Sequence, residues 1–173
     1  MQNASTSAKA VALGGVLAAL AVCVMCLGSL IPVNTYVSPM FCALLLQVVL
    51  NACGRRIAWA WFFAVAILSL LLCPDWEAAG VLLALGYYPI LKRFLDTKKL
   101  RPLWKGLYFN LTVFVLYWAL LFVFGLPALN EEFRELGTVM LVVLLILGNV
   151  TFFLLDKVLD KPFFRKLGRY GKR

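Results

Sequence analysis

Residues 91–106 read LKRFLDTKKLRPLWKG, and these sixteen positions hold six of the seventeen Lys and Arg residues in the chain. The surrounding sequence makes that density unusual. Of 173 residues, 64% are hydrophobic and only 14% are charged, and the mean hydropathy is +0.93. An ordinary soluble domain is about 25% charged. The composition therefore predicts that lipid is the solvent for most of this chain.

On the N-terminal side of the basic stretch, no Asp, Glu, Lys or Arg occurs between Lys9 and Arg55. A run of that length can cross a hydrocarbon core of roughly 30 Å twice. The opening MQNASTSAKA carries a single Lys, and the apolar run that follows is longer than a secretory signal requires, so it reads as a retained membrane helix. Six apolar segments can be drawn: 10–31, 36–53, 57–73, 78–91, 106–126 and 136–155, followed by a basic tail, 156–173. The fourth is short for a span of roughly seventeen to twenty-five residues. It must borrow flanking residues, lie in thinned bilayer or be shielded by neighbours, and Pro89 is expected to kink its last turn.

The basic stretch then decides the topology, because Lys and Arg accumulate on the cytoplasmic side of membrane proteins. With the N-terminus inside, Lys9, Arg55, Arg56, the six cations of 91–106 and the seven from Lys157 onward share the cytoplasmic face, which is sixteen of the seventeen. Arg134 alone falls outside, in the company of Asp75, Glu77, Glu131, Glu132 and Glu135. Removing the short fourth span would strand one basic cluster on the wrong side. The expected fold is all-α: a polytopic membrane protein of the cell membrane, one integral domain over 1–173, with six transmembrane helices and both termini cytoplasmic. The net charge of +9 is mostly this topology signal, so anionic lipid headgroups, and not nucleic acid, are the expected neighbours of 91–106 and the tail.

Several chemistries lack their residues. No GxxxxGK[ST], HExxH or GxSxG occurs, and no acidic pair falls within an apolar segment. Cys23 and Cys26 have CxxC spacing, but both sit in an apolar run and the chain has no His, so the five cysteines read as apolar filler. The expectation is a protein without catalytic residues, metal or cofactor.

The outer helix ends carry more information. Asn34, Thr35 and Tyr36 lie in an uncharged loop rich in hydrogen-bonding groups, and Asp75, Trp76 and Glu77 stand together at a helix start. These six are the candidate substrate contacts, since a pocket needs an aromatic face and a few convergent polar groups. Interfacial anchoring by Trp and Tyr, and helix capping by Asp75, would produce the same pattern. The acidic segment around Asn130, Glu131, Glu132 and Glu135 reads as a solvated turn, with a lid or an attractor of a cationic ligand as the alternatives, and its Glu residues fall in place to start the sixth helix. Gln47, Asn51, Asn110, Tyr117 and Asn149 lie at membrane depth and are expected to hydrogen-bond between helices. Lys92, Asn110 and Asp156 fall near the inner ends of three helices and could form a clasp. In the first helix Ala10, Gly14 and Ala18, and again Gly15 and Ala19, form small-residue stripes that permit close helix approach.

Through ALGGVLAALA running into LGSLIPVNTY, together with GYYPILK, YFN and GNVTFFLLD, the chain resembles the substrate-binding S components of energy-coupling-factor transporters, and a group of small uncharacterised bacterial membrane proteins of the same architecture. The resemblance spans nearly the whole chain. It implies a six-helix subunit that captures a micronutrient such as a vitamin from outside and works with a transmembrane coupling protein and two ATPases. It implies that Ala10, Gly14 and Ala18 contact the coupling protein, and that Asn34, Thr35, Tyr36, Asp75, Trp76 and Glu77 contact an uncharged or weakly cationic small organic ligand. The rival expectation is a non-transporting membrane scaffold or assembly protein acting through helix–helix contacts.

Overall fold

The computed structural model describes residues 2–28, 35–97, 100–122 and 127–160, with side chains described for 11–28, 35–97, 100–122 and 140–160. Within them the chain is helical and no strand is formed. The helices are α1 (Gln2–Gly28), α2 (Val37–Cys53), α3 (Arg55–Leu72), α4 (Trp76–Leu85), α5 (Tyr88–Leu95), α6 (Arg101–Phe122) and α7 (Pro127–Leu159). Proline placement follows the backbone chemistry of helix starts. Pro39, Pro89, Pro102 and Pro127 all stand in first turns, where an absent N–H removes no intrahelical bond.

Five stretches are long and apolar enough to cross a membrane: Val11–Gly28, Arg55–Leu72, Trp76–Leu95, Arg101–Phe122 and Met140–Leu159. Val37–Cys53 is a shorter apolar helix. Large apolar side chains such as Phe63, Leu71 and Leu107 stand on the outside, an arrangement suited to lipid and costly in water.

The doubtful fourth segment is two helices in tandem. The break falls at Gly86 and Tyr87, and Pro89 lies in the first turn of α5 instead of kinking the end of one helix. A Cβ at Gly86 would collide with the carbonyl oxygen of Leu82 and lie 3.2 Å from the Phe62 ring, so the joint accepts only glycine without adjustment. Borrowing residues at both ends brings the pair to 20 residues, long enough to span. The segment read as an acidic turn is also helical, because α7 starts at Pro127 and continues through it.

α2 lies at the centre, with neighbours α1, α3, α4, α5 and α7. A first core forms among α1, α2 and α3 around Met25, Leu46, Trp61 and Phe62, with Trp61 Nε1 donating to the Gly14 carbonyl at 3.0 Å. α2 passes to α3 through the single residue Gly54, whose φ of 87° an L side chain rarely adopts. A second core at the other side joins Tyr88, Phe109 and Phe152, with ring centroids 4.6 Å apart for Tyr88–Phe152 and 4.8 Å for Phe109–Phe152.

The two ends of the bundle differ in charge. Arg55 and Arg56 start α3, Arg93 lies near the end of α5 and donates to Asn51 at the end of α2 (3.0 Å), and Arg101, Lys105 and Lys157 complete a basic end. Asp75 and Glu77 lie at the opposite end, where α2 and α4 begin.

Candidate functional site

Asp75 caps α4: its side chain accepts from the Ala78 amide at 3.0 Å, and its other oxygen accepts from the Thr35 hydroxyl at 3.0 Å. One carboxylate thus fixes both the helix start and the entry to α2, which is the capping role expected of an Asp at this position. One residue further, Glu77 points back towards α2 and α6. Its Oε1 accepts from the Tyr36 hydroxyl at 2.8 Å and from the Tyr117 hydroxyl at 2.7 Å, and the two phenol oxygens are 2.6 Å apart. Three helices therefore place three oxygens in a triangle.

Beneath that triangle lies a cavity of about 830 Å³ between α2, α4, α6 and α7. Tyr36, Glu77 and Tyr117 line its polar end, and its walls are apolar, with Val81, Val113, Phe114 and Leu145 among them. At the far end it reaches Tyr88, Phe109 and Phe152 of the second core. The size falls within the range of roughly 300–1,000 Å³ usual for small-molecule sites. On upper α7 the apolar residues from Val142 to Leu147 are all exposed, with Leu144, Leu145 and Leu147 along the cavity, and the helix meets the bundle through Phe152, Asp156 and Leu159 lower down.

Asn110 and Asn149 bind each other reciprocally at 3.0 and 3.1 Å beside the cavity, which joins α6 to α7. Each amide also donates to the carbonyl four residues earlier, so neither buries an unmet donor. The expected clasp at the basic end is present with different members. Asp156 accepts from Lys92 at 2.5 Å, Lys105 at 2.8 Å and the Tyr88 hydroxyl at 2.5 Å, while Asn110 takes no part. Lys92 also reaches Asp160 at 3.0 Å and Lys105 reaches Asp96 at 2.6 Å. Asp156, Lys92 and Lys105 are 8%, 6% and 5% exposed, so the pairs are nearly dry and their mutual neutralisation is what permits the burial. Tyr88 belongs to both constellations, lining the cavity with its ring and tying its hydroxyl to Asp156.

Of the six residues read as substrate contacts, Tyr36 and Glu77 line the cavity, and Thr35 and Asp75 form the capping pair beside it. Trp76 stands outward at the helix start and does not line the cavity. Asn34 lies outside the described residues. Tyr117, read in the sequence only as an interhelical hydrogen-bonder, joins the cavity's polar cap, and no local pattern distinguishes it from Tyr108 one face away. Of the small residues on α1, Gly14 is buried against α3 and Ala18 packs on the first core, whereas Gly15 and Ala19 face outward; the Ala10 side chain lies outside the described residues. No protein-family model, curated protein or solved structure matches the chain. Fold and site together define a class: an all-α protein with several helices fit to cross a membrane, holding an apolar cavity with one polar, singly acidic end.

Proposed function

We propose that this chain is the substrate-binding membrane subunit of an importer of the energy-coupling-factor type, binding a small organic micronutrient from outside without transforming it. The observation that carries the reading is the cavity of about 830 Å³ whose polar end is lined by Tyr36, Glu77 and Tyr117. It has the size and the apolar walls of a ligand site, and its polar groups converge at one end as a specificity element. In this reading α4 and α5 cross the cell membrane as one span, giving six spans with both termini cytoplasmic. The gathering of Arg55, Arg56, Arg93, Arg101, Lys105 and Lys157 at one end supports that orientation under the positive-inside rule. The cavity cap then faces outward, where the nutrient arrives. A transmembrane coupling protein with two ATPase subunits supplies the energy, and the outward α1 face bearing Gly15 and Ala19 is the surface that α1 offers it.

Purification of the tagged chain in mild detergent from its own host, with mass spectrometry of the proteins and small molecules it retains, tests the proposal. Recovery of a membrane coupling protein, ATPases and a nutrient is the expected result. Recovery of envelope or assembly proteins with no ATPase and no ligand would replace the importer with a scaffold.

A further inference from the structure

The cysteines read as apolar filler in the sequence are not scattered in the fold, because the packing of α1 on α3 brings two of them together. Cys26 lies in the last turn of α1, Cys73 directly follows α3, and their sulfurs stand 3.9 Å apart. Both are thiols in this structure. A disulfide holds its sulfurs at about 2.0 Å, so closing the pair asks for a shift of about 2 Å. Both residues sit where the backbone can give: Cys73 is outside the helix in an extended conformation, φ −79° and ψ 130°, and Cys26 is two residues from the end of α1. Among the described residues no three Cys, Asp or Glu side chains gather as a metal ion would require, so the pair is not part of such a site.

The place of the pair suits oxidation. Cys73 is two residues from Asp75, at the end of the bundle opposite Arg55 and Arg56. In the orientation proposed above that end faces outward, and outer surfaces are where disulfides form and persist. Cys53, by contrast, ends α2 at the basic end, and Cys42 is buried with its thiol donating to the Ala21 carbonyl at 3.6 Å.

We infer that Cys26 and Cys73 are joined by a disulfide on the outer face, which ties the end of α1 to the start of α4. The inference rests on the proposed orientation and is independent of what the cavity holds. The oxidant is a disulfide-bearing partner, RSSR. Cys26, the more exposed of the two, attacks one sulfur of RSSR as its thiolate and releases RS⁻; Cys73 then gives up its proton, attacks the Cys26 sulfur and releases the second RS⁻. Two thiols lose two electrons and two protons, and RSSR leaves as two RSH. Burial, and then the contact with Cys26, pushes the Cys73 thiol up to about 12, so only about 1 in 10⁴ is thiolate at pH 8. A partner held in contact acts at an effective concentration of about 10⁵ M or more, which offsets that scarcity for Cys26 and for no reagent in solution.

The full chain, purified in mild detergent, reduced and freed of reductant in the presence of a chelator, is treated with diamide, whose N=N bond takes up the two electrons and two protons. It is then denatured in N-ethylmaleimide and read by intact mass and by peptide mapping. The expected product has lost two hydrogens, carries maleimide on three of its five cysteines, and yields a peptide joining Cys26 to Cys73. Cys26→Ser and Cys73→Ser should each take up four maleimides, whereas Cys53→Ser should keep the link. Maleimide on all five cysteines after diamide, or a link made instead by Cys23, Cys42 or Cys53, overturns the pairing. The mapping of the unsubstituted chain needs no variant, so a misfolded mutant does not shield the inference. Cells quenched in acid and N-ethylmaleimide should already contain the linked chain. If the link forms in the purified chain but is absent from the cells, its formation on the outer face is overturned, while the cavity as a ligand site is untouched.

Discussion

Replacing Asp156 by Asn is the sharpest single test of what holds α5, α6 and α7 together. The substitution keeps the side chain's shape and removes its charge. Its carboxylate faces Lys92 at 2.5 Å and Lys105 at 2.8 Å, and all three residues are buried. An Asn amide would turn either its NH₂ or a far weaker acceptor towards each ammonium. Breaking a buried pair from one side costs about 3–5 kcal/mol, because a charge is left in a poorly solvating interior. Here each lysine retains a second carboxylate, Lys92 that of Asp160 at 3.0 Å and Lys105 that of Asp96 at 2.6 Å, which places the expected loss at the low end, about 3 kcal/mol. For a chain of this length that is a fall of roughly 6–12 °C in melting temperature. Asp160→Asn is the control: its side chain is 57% exposed, and a surface pair is worth about 1 kcal/mol or less. Melting in detergent, followed by a thiol-reactive dye that reports exposure of buried cysteines such as Cys42, orders the two variants. Converting Lys92, Lys105 and Asp156 together to Met, Met and Leu should recover most of the loss, since it removes the buried charges along with their partners. If Asp156→Asn melts no lower than Asp160→Asn, the cluster is not the structural fastening argued for here.

Gly86→Ala sets a methyl against the Leu82 carbonyl and the Phe62 ring, so folded yield and melting temperature should drop, by about 1–3 kcal/mol as for other overpacked sites, whereas Gly15→Ala on the open face of α1 should change little. Ser69 is fully buried and its hydroxyl has no hydrogen-bond partner among the described residues, so Ser69→Ala should be neutral or raise the melting temperature slightly. Cys73, just beyond the end of α3, has its thiol pushed up to about 12 from an ordinary value near 9, first by burial and then by its contact with Cys26. In the native chain it should resist iodoacetamide at pH 8–9, while in the unfolded chain it should react as an ordinary thiol. Because the folded state holds the proton more tightly, this group costs no stability below the unfolded value near 9 and lowers stability as pH rises from there towards about 12. Alkylation of native Cys73 at pH 8 as fast as in denaturant would contradict its burial.

Much of the architecture follows from the order of residues alone. Helices in lipid must satisfy every backbone group internally, so long apolar runs leave the chain only one regular structure, and prolines at their starts mark where they begin. The separation of basic from acidic helix ends is likewise written in the sequence, because ionisable groups cannot rest between them. Hydropathy is silent about direction, however. A helix surrounded by lipid and by other apolar helices has no polar face to orient it, which is why Gly14 turns inward and Gly15 outward on the same small-residue segment without any sequence sign. The break at Gly86 needed the position of Phe62 on another helix, and the acidic segment joined α7 where its composition suggested a turn.

The same limit holds at the site. Asp75 as a cap could be read from its place before an apolar run, since capping is local chemistry. The meeting of Tyr36, Glu77 and Tyr117 is not local: the residues come from the start of α2, the start of α4 and the upper part of α6, and only the packing of those helices brings their oxygens within 2.8 Å. Lys92 and Asp156 could be expected near one another from their depth, yet the inclusion of Lys105 and Tyr88 depended on the rotation of α5 and α6 about their axes. Sequence by itself determined that this chain is a set of membrane-competent helices with a charged polarity, because backbone hydrogen bonding and ion solvation act residue by residue. Tertiary structure alone decided which side chains share a cavity and which share a charge, because those are properties of helix rotation and distance, to which hydropathy is blind.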